Sequence, residues 1–185
     1  MSVLPIHTYG SPVLHKKAKP VMIVTDEIIR FIMDMYETMH KAQGIGLAAT
    51  QVGSLHRILV IDVSEIEEME DVKPMTLINP EIVFEEGSWV MEEGCLSIPN
   101  VRDDVERAEH IRVKYKDSNL NDIEIEAYGL LARVILHETD HLNGVLFIDR
   151  LSDDQKKLHK EALKEIQRGE MEVAYPVVTA VDVTV

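Results

Sequence analysis

His137-Glu138-Thr139-Asp140-His141 sets two imidazoles four positions apart with a carboxylate beside the first, the H-E-x-x-H pattern. At about 3.6 residues per turn, such a pair lies on one helix face and both rings can reach one ion. A bound ion lowers the pKa of a coordinated water from about 15.7 toward ~7, and a neighbouring carboxylate such as Glu138 can then manage its proton. The pattern therefore points to metal-assisted hydrolysis. Composition alone predicts roughly 0.06 chance matches of this kind in the chain, so the surroundings must add to it. They do: a helix this apolar would bury His, Glu, Asp and His unpaired unless a ligand neutralised them.

A catalytic site needs a third protein ligand and an open position. In metzincin-type proteases the run continues to a third histidine at the position held here by Phe147, so that pattern fails. In thermolysin-like proteases a glutamate on a following helix serves, and Glu161 or Glu165 lies at a feasible distance. The third candidate is Cys95, whose thiolate suits zinc or ferrous iron. Cys95 sits in Glu93-Gly94-Cys95-Leu96-Ser97, where Gly94 allows close backbone approach and Pro99 fixes the exit of the segment. A second glycine-rich run, Gly44-Ile45-Gly46-Leu47-Ala48-Ala49-Thr50-Gln51, would let a peptide-like molecule lie against the backbone, with Gln51 offering an amide donor. His56, His110 and His159 have no such partners in sequence and read as ordinary surface or strand residues.

The elements that must position these groups follow from periodicity. Thr25 caps a helix that opens on Asp26 and Glu27, buries Ile28, Ile32, Met35 and Met39, and ends near Gly44. Residues 57–63, 75–84 and 88–92 read as strands, with an exposed acidic loop at 65–70. Ile111, Val113 and Tyr115, a turn at 117–121, then Ile123, Ile125 and Ala127 predict a hairpin. From Gly129 the period becomes helical through Leu130, Val134, His137 and His141, and Gly144 suits the stop. Ser152 or Asp153 starts a last helix to about Arg168, with Leu158, Ala162 and Ile166 inward and Lys156, Lys157, Lys160 and Lys164 on a solvated face. The expected class is α+β: antiparallel strands around a central metal-binding helix, with an N-terminal and a C-terminal helix. Residues 1–169 form one catalytic domain, and 170–185 an apolar tail that is an added strand, an arm onto a second subunit, or disordered.

At 185 residues and 45% apolar composition, the chain can build one substantial core. Its net charge of −14 argues against direct nucleic-acid recognition or an anionic membrane surface. There is no signal-like opening and no window of the ~18 apolar residues that a span requires. With Cys95 as the single cysteine, no intrachain disulfide is available, and a cytoplasmic, reducing setting is expected.

The runs Gly44–Gln51, Glu93–Ser97 and His137-Glu138-Thr139-Asp140-His141-Leu142-Asn143-Gly144, in this order and spacing, resemble the peptide deformylase family; the similarity spans roughly residues 4–150. The resemblance implies removal of the formyl group from the N-terminal formyl-methionine of nascent proteins. It implies Cys95, His137 and His141 as metal ligands and Glu138 as general base, then acid. It also implies the Leu96 N–H and Gln51 amide as oxyanion donors. Gly44, Ile45, Gly46, Glu93 and Gly94 would pair with the peptide, and Arg102 would stand near the groove exit. The family implies Fe(II), with zinc, nickel or cobalt as substitutes, and a transient contact with the ribosome. Leu136 stands where many members have Gln, and Thr50 where Pro is commoner. Two other readings are a thermolysin-like peptidase using Glu161 or Glu165, and a non-enzymatic binding module with a closed structural metal.

Overall fold

The run Ile58-Leu59-Val60-Ile61 is apolar at every position, which suits a strand covered on both faces. In the computed structural model, which describes residues 1–183, this strand is β3 (Ile58–Ile61), and all four residues are buried. It follows β1 (Ile6–His7), α1 (Asp26–Lys41) and β2 (Gly46–Ala48). After it come β4 (Met75–Glu86), β5 (Trp89–Cys95), β6 (Ile98–Arg107), β7 (His110–Lys116) and β8 (Asp122–Tyr128). The chain closes with α2 (Gly129–Leu142), α3 (Asp153–Gln167) and β9 (Val177–Val178).

Strands β2-β3-β4-β7-β8 form an antiparallel five-stranded sheet. Helices lie on both of its faces. Ile58, Val60 and Leu47 pack with Ile28, Ile32, Met35 and Met39 of α1, while Leu59, Ile61 and Ala48 pack with Ala132, Ile135 and Leu136 of α2. Leu136 is thus a core residue. The expected hairpin is β7–β8, with Ile111 opposite Ala127, Val113 opposite Ile125 and Tyr115 opposite Ile123. A separate hairpin, β5–β6, packs with α3 and the 3-10 turn Phe147–Arg150 through Val101, Val105, Phe147, Leu163 and Ile166.

Local signals set the helix ends. The Thr25 hydroxyl accepts from Ile28 N–H at 3.3 Å, and Ser152 with Gln155 forms a capping box. Helix α2 stops at Gly144, whose φ of 77° lies in the left-handed region. A Cβ there would also stand 2.6 Å from the His15 carbonyl oxygen.

The structure revises one expectation and adds two elements. Leu158 points outward, 81% exposed, and Leu163 takes the inward place with Ile166. A spacing of four drifts by ~40° at each step, so Leu158 has rotated off the buried stripe. Strand β6 went unread in the sequence. Beyond Gly169 the chain supplies β9, which pairs parallel with β1, Ile6 opposite Val177 and His7 opposite Val178; residues 184–185 of that tail lie outside the described residues. Among the described residues, no helix is long and apolar enough to cross a membrane.

Candidate metal centre

Helix α2 carries its polar residues inward. From Ala132 to Leu142 every side chain is buried, His137, Glu138, Asp140 and His141 included. The β5–β6 turn brings Cys95 to this surface. The Cys95 sulfur and one ring nitrogen each from His137 and His141 lie within 4.8 Å of one another, the one such group among the described residues. Cys95 Sγ is 3.2 Å from His141 Nε2, and the two imidazoles stand nearly edge to face with centroids 5.0 Å apart.

This donor set fits a divalent cation. A thiolate and two imidazoles converge on one point, and a soft sulfur with two nitrogens suits zinc, ferrous iron, cobalt or nickel. The protonation pattern agrees. Burial alone would lower His137, but its hydrogen bonds to Cys95 and Glu93 push it up to about 10. Burial, with repulsion from His137 and Arg107, holds His141 well below 6.5. The cluster thus retains one positive charge beside the sulfur, where a metal ion would replace the proton.

Glu138 lies against β2. A Cβ on Gly46 would be 2.6 Å from Glu138 Oε1 and 2.9 Å from its Cγ, so glycine leaves the room the carboxylate occupies. Glu138 Oε2 is buried and has no protein partner. Burial pushes this carboxyl up to about 7, against the opposing pull of His137 and Arg107. A group poised there can accept and return a proton at neutral pH.

Gln51 lies in the 3-10 turn Ala49–Val52. Its Oε1 accepts from Ala48 N–H at 2.8 Å, which aims Nε2 at Cys95 Sγ (3.6 Å) and Ser97 Oγ (3.3 Å). Leu96 follows Cys95 in the turn. Gly44 N–H donates to Met39 O at 2.9 Å and the Ile45 carbonyl accepts from Asp62 N–H at 3.0 Å. Arg102 is exposed, lies against Gly94, and makes a loose pair with Glu92 at 3.7 Å.

Glu93 does more than its sequence context suggested. Its backbone pairs with Asp103 of β6, while its side chain is buried under α2. There the carboxylate accepts from His137 Nδ1 at 2.9 Å, Arg107 at 2.5 and 3.0 Å, and Arg133 at 2.7 Å. Arg107 also reaches Asp140 at 2.7 Å, and Arg150 closes on the same carboxylate. Burial would raise Glu93, but the hydrogen bonds from His137 and Arg107 win and hold it well below the usual carboxylate range. The bond to His137 Nδ1 fixes the ring so that the opposite nitrogen faces Cys95. Arg133, an isolated charge inside an apolar helical run, is a sequence sign of this network alongside Asp140. Thr50, at the position where Pro is commoner, donates to the His141 carbonyl at 3.0 Å and ties the glutamine turn to α2.

Neither Glu161 nor Glu165 approaches the centre. Both are exposed on α3, and Glu161 pairs with Lys164 at 3.2 Å. The thermolysin-like arrangement is therefore not the one this chain builds.

Comparison with known proteins agrees with this geometry. The family described as polypeptide deformylase matches residues 3–157. The chain is 49% identical to a peptide deformylase of Chlorobium phaeovibrioides over 96% of this chain and 94% of that one. It is 48% identical to that of Salinibacter ruber, over 99% and 98%. Among solved structures, a peptide deformylase from Legionella pneumophila superposes with a TM-score of 0.83 at 38% identity, covering 91% of this chain and 98% of that one. One from Synechococcus elongatus in complex with actinonin gives 0.78 at 44%, covering 95% and 92%. With a Cys-His-His centre in the fold these relatives share, the chain belongs to the peptide deformylase family, metal-dependent hydrolases that remove the formyl group from the N-terminal formyl-methionine of nascent proteins.

Proposed function

We propose that Cys95, His137 and His141 hold the metal ion and that Glu138 is the proton-transfer group of deformylation. The observation that carries this reading is the buried Glu138 carboxylate, with an unpartnered oxygen, one residue from a convergent Cys-His-His set. When bound, the ion supplies a Lewis acid that makes water nucleophilic at neutral pH.

Glu138 accepts a proton from the attacking water and delivers it to the amine nitrogen as the C–N bond breaks, releasing formate. The Leu96 N–H and the Gln51 Nε2 amide meet the oxyanion that develops on the formyl carbonyl. Gln51 is held for this by its bond from Ala48 N–H.

The peptide lies extended between two strands. Strand β2 is an edge of the five-stranded sheet, and β5 pairs on one side only, with β6. Gly46 with Ile45 N–H, and the backbone of Glu93 and Gly94, offer donors and acceptors for strand addition. Gly44 shapes the entrance, since Leu96 Cδ1 fills the space a Cβ there would need. Arg102 stands beside Gly94 at the groove exit. Ferrous iron is the native ion in this reading, with zinc, nickel or cobalt as substitutes. Residues 1–169 carry every proposed ligand and catalytic group, and the protein works in the cytoplasm in transient contact with the ribosome.

The test is formate release from formyl-Met-Ala-Ser by anaerobically purified, iron-loaded protein. Wild type is expected to turn over, Glu138→Ala to keep its metal and lose nearly all activity, and Cys95→Ser to lose both. Full activity in Glu138→Ala, or full metal content in Cys95→Ser, overturns the assignment.

A further inference from the structure

The turn that carries Cys95 lacks the usual means of holding its own shape. Cys95 pairs with Ile98, leaving Leu96 and Ser97 as a two-residue hairpin loop, and the register shifts between Gly94 and Cys95. Two-residue loops favour turn types that need a positive φ at one or both central positions, usually at Gly, Asn or Asp. Neither Leu96 nor Ser97 is among the residues with positive φ. The turn is instead gripped from outside. Gln51 Nε2 donates to Ser97 Oγ at 3.3 Å, Tyr9 N–H donates to the Ser97 carbonyl at 2.8 Å, and the Tyr175 hydroxyl donates to the Leu96 carbonyl at 2.8 Å.

Two of these three bonds come from the two ends of the chain, which are fastened to each other. Ile6 N–H donates to Pro176 O at 2.9 Å and Thr8 N–H to Val178 O at 3.0 Å, the ladder of the β1–β9 pair. Tyr9 lies just past β1 and Tyr175 just before β9, so the pair presents both to adjacent carbonyls of the turn. The Tyr175 ring packs in the same apolar cluster as Leu96, which fixes the hydroxyl's approach.

We propose that Tyr175 is a positioning residue of the active site, holding the Cys95–Leu96–Ser97 turn so that the thiolate and the Leu96 N–H keep their places. This makes the C-terminal tail a working part of the deformylase centre. The proposal rests on Cys95 as a ligand and Leu96 as an oxyanion donor.

The test is Tyr175→Phe, which removes the hydroxyl and keeps the ring. Both proteins are loaded with Co(II) and compared by the thiolate-to-cobalt absorption band, the rate of cobalt release to a chelator, kcat, KM and thermal melting. The variant is expected to shift the band and release cobalt several-fold faster. Its kcat falls about tenfold, in line with the loss of one hydrogen bond, while KM and melting temperature stay near wild type. An unchanged band, release rate and kcat overturn the proposal, as does a loss seen only in melting temperature, which marks a merely structural tail. Wild type is measured first: if it shows no thiolate band and no turnover, the ligand reading itself fails, an outcome distinct from a silent Tyr175→Phe.

Discussion

The approach of Gly46 to Glu138 makes Gly46→Ala a sharp test of the site. Gly46 is not among the residues with positive φ, so alanine suits its backbone, and replacing a strand glycine by alanine gains about 0.5–1 kcal/mol in chain entropy. The new methyl would stand 2.6 Å from Glu138 Oε1, 2.9 Å from Cγ and 3.0 Å from Cδ, against ordinary contact beginning at 3.4 Å. Spinning the carboxylate relieves only the first of these contacts. The whole side chain has to retreat, by about 0.5 Å at Cγ and by about 0.8 Å where the carboxylate keeps its orientation, and misplacement approaching 1 Å costs on the order of 10²-fold in rate, about 2.7 kcal/mol. Formate release at saturating formyl-Met-Ala-Ser is therefore expected to fall about 100-fold. Metal content should match wild type, and the melting temperature should fall by no more than a few degrees, because the entropy gain offsets part of the overpacking cost of about 1–3 kcal/mol. A folded, metal-loaded protein with little activity separates this effect from misfolding. A kcat within about threefold of wild type would refute the reasoning, because Glu138 would not owe its working position to the missing Cβ.

Two further perturbations probe the charges beneath the site. Unfolded His137 titrates near 6.5 and folded His137 at about 10, so the native state holds the extra proton between these values. Glu138, raised from 4.5 to about 7, loses stability across its lower window, but His141, held well below 6.5, gains it there and offsets that loss. Stability of the metal-free protein is thus expected to fall as pH rises from 6.5 through about 10, whereas the metal-loaded protein, with the proton displaced by the ion, stays flatter. Parallel melting curves against pH for the two forms would contradict this. Glu93→Gln leaves Arg107 and Arg133 buried against a neutral amide. Breaking such a cluster costs ~3–5 kcal/mol, or a drop in melting temperature of about 6 °C or more. A drop below about 2 °C would mean that the arginines are satisfied without the carboxylate.

What could be read from the sequence was what lies close along the chain. The His137–His141 spacing, the α1 stripe and the β7–β8 alternation are each complete within fewer than about twenty residues, and each has its counterpart in the structure. Strand β6 was missed because Pro99, Asn100, Arg102, Asp103 and Asp104 mask its alternation with residues that favour turns or solvent. Glu93 drew attention for its backbone, not for its side chain. Its partners Arg107, Arg133 and His137 lie 14, 40 and 44 residues away, and no local pattern announces such a meeting. The same holds for Tyr175, whose carbonyl partner is 79 residues distant. Helix α3 shows the opposite error: a spacing of four looked regular, but the buried face follows Leu163 and Ile166.

Cys95 and His141 are 46 residues apart, and with the proposed ligand set the ion between them is a cross-link as well as a reagent. Closing a loop of this length with a covalent bridge removes about 4 kcal/mol of chain entropy from the unfolded state. A protein with one cysteine has no disulfide to do this, so the ion would act as its staple, fastening the β5–β6 hairpin to the central helix. Oxidation of the Cys95 sulfur would then unfasten that staple as it silences the enzyme. Inactivation by oxidants and loss of thermal stability would follow one time course.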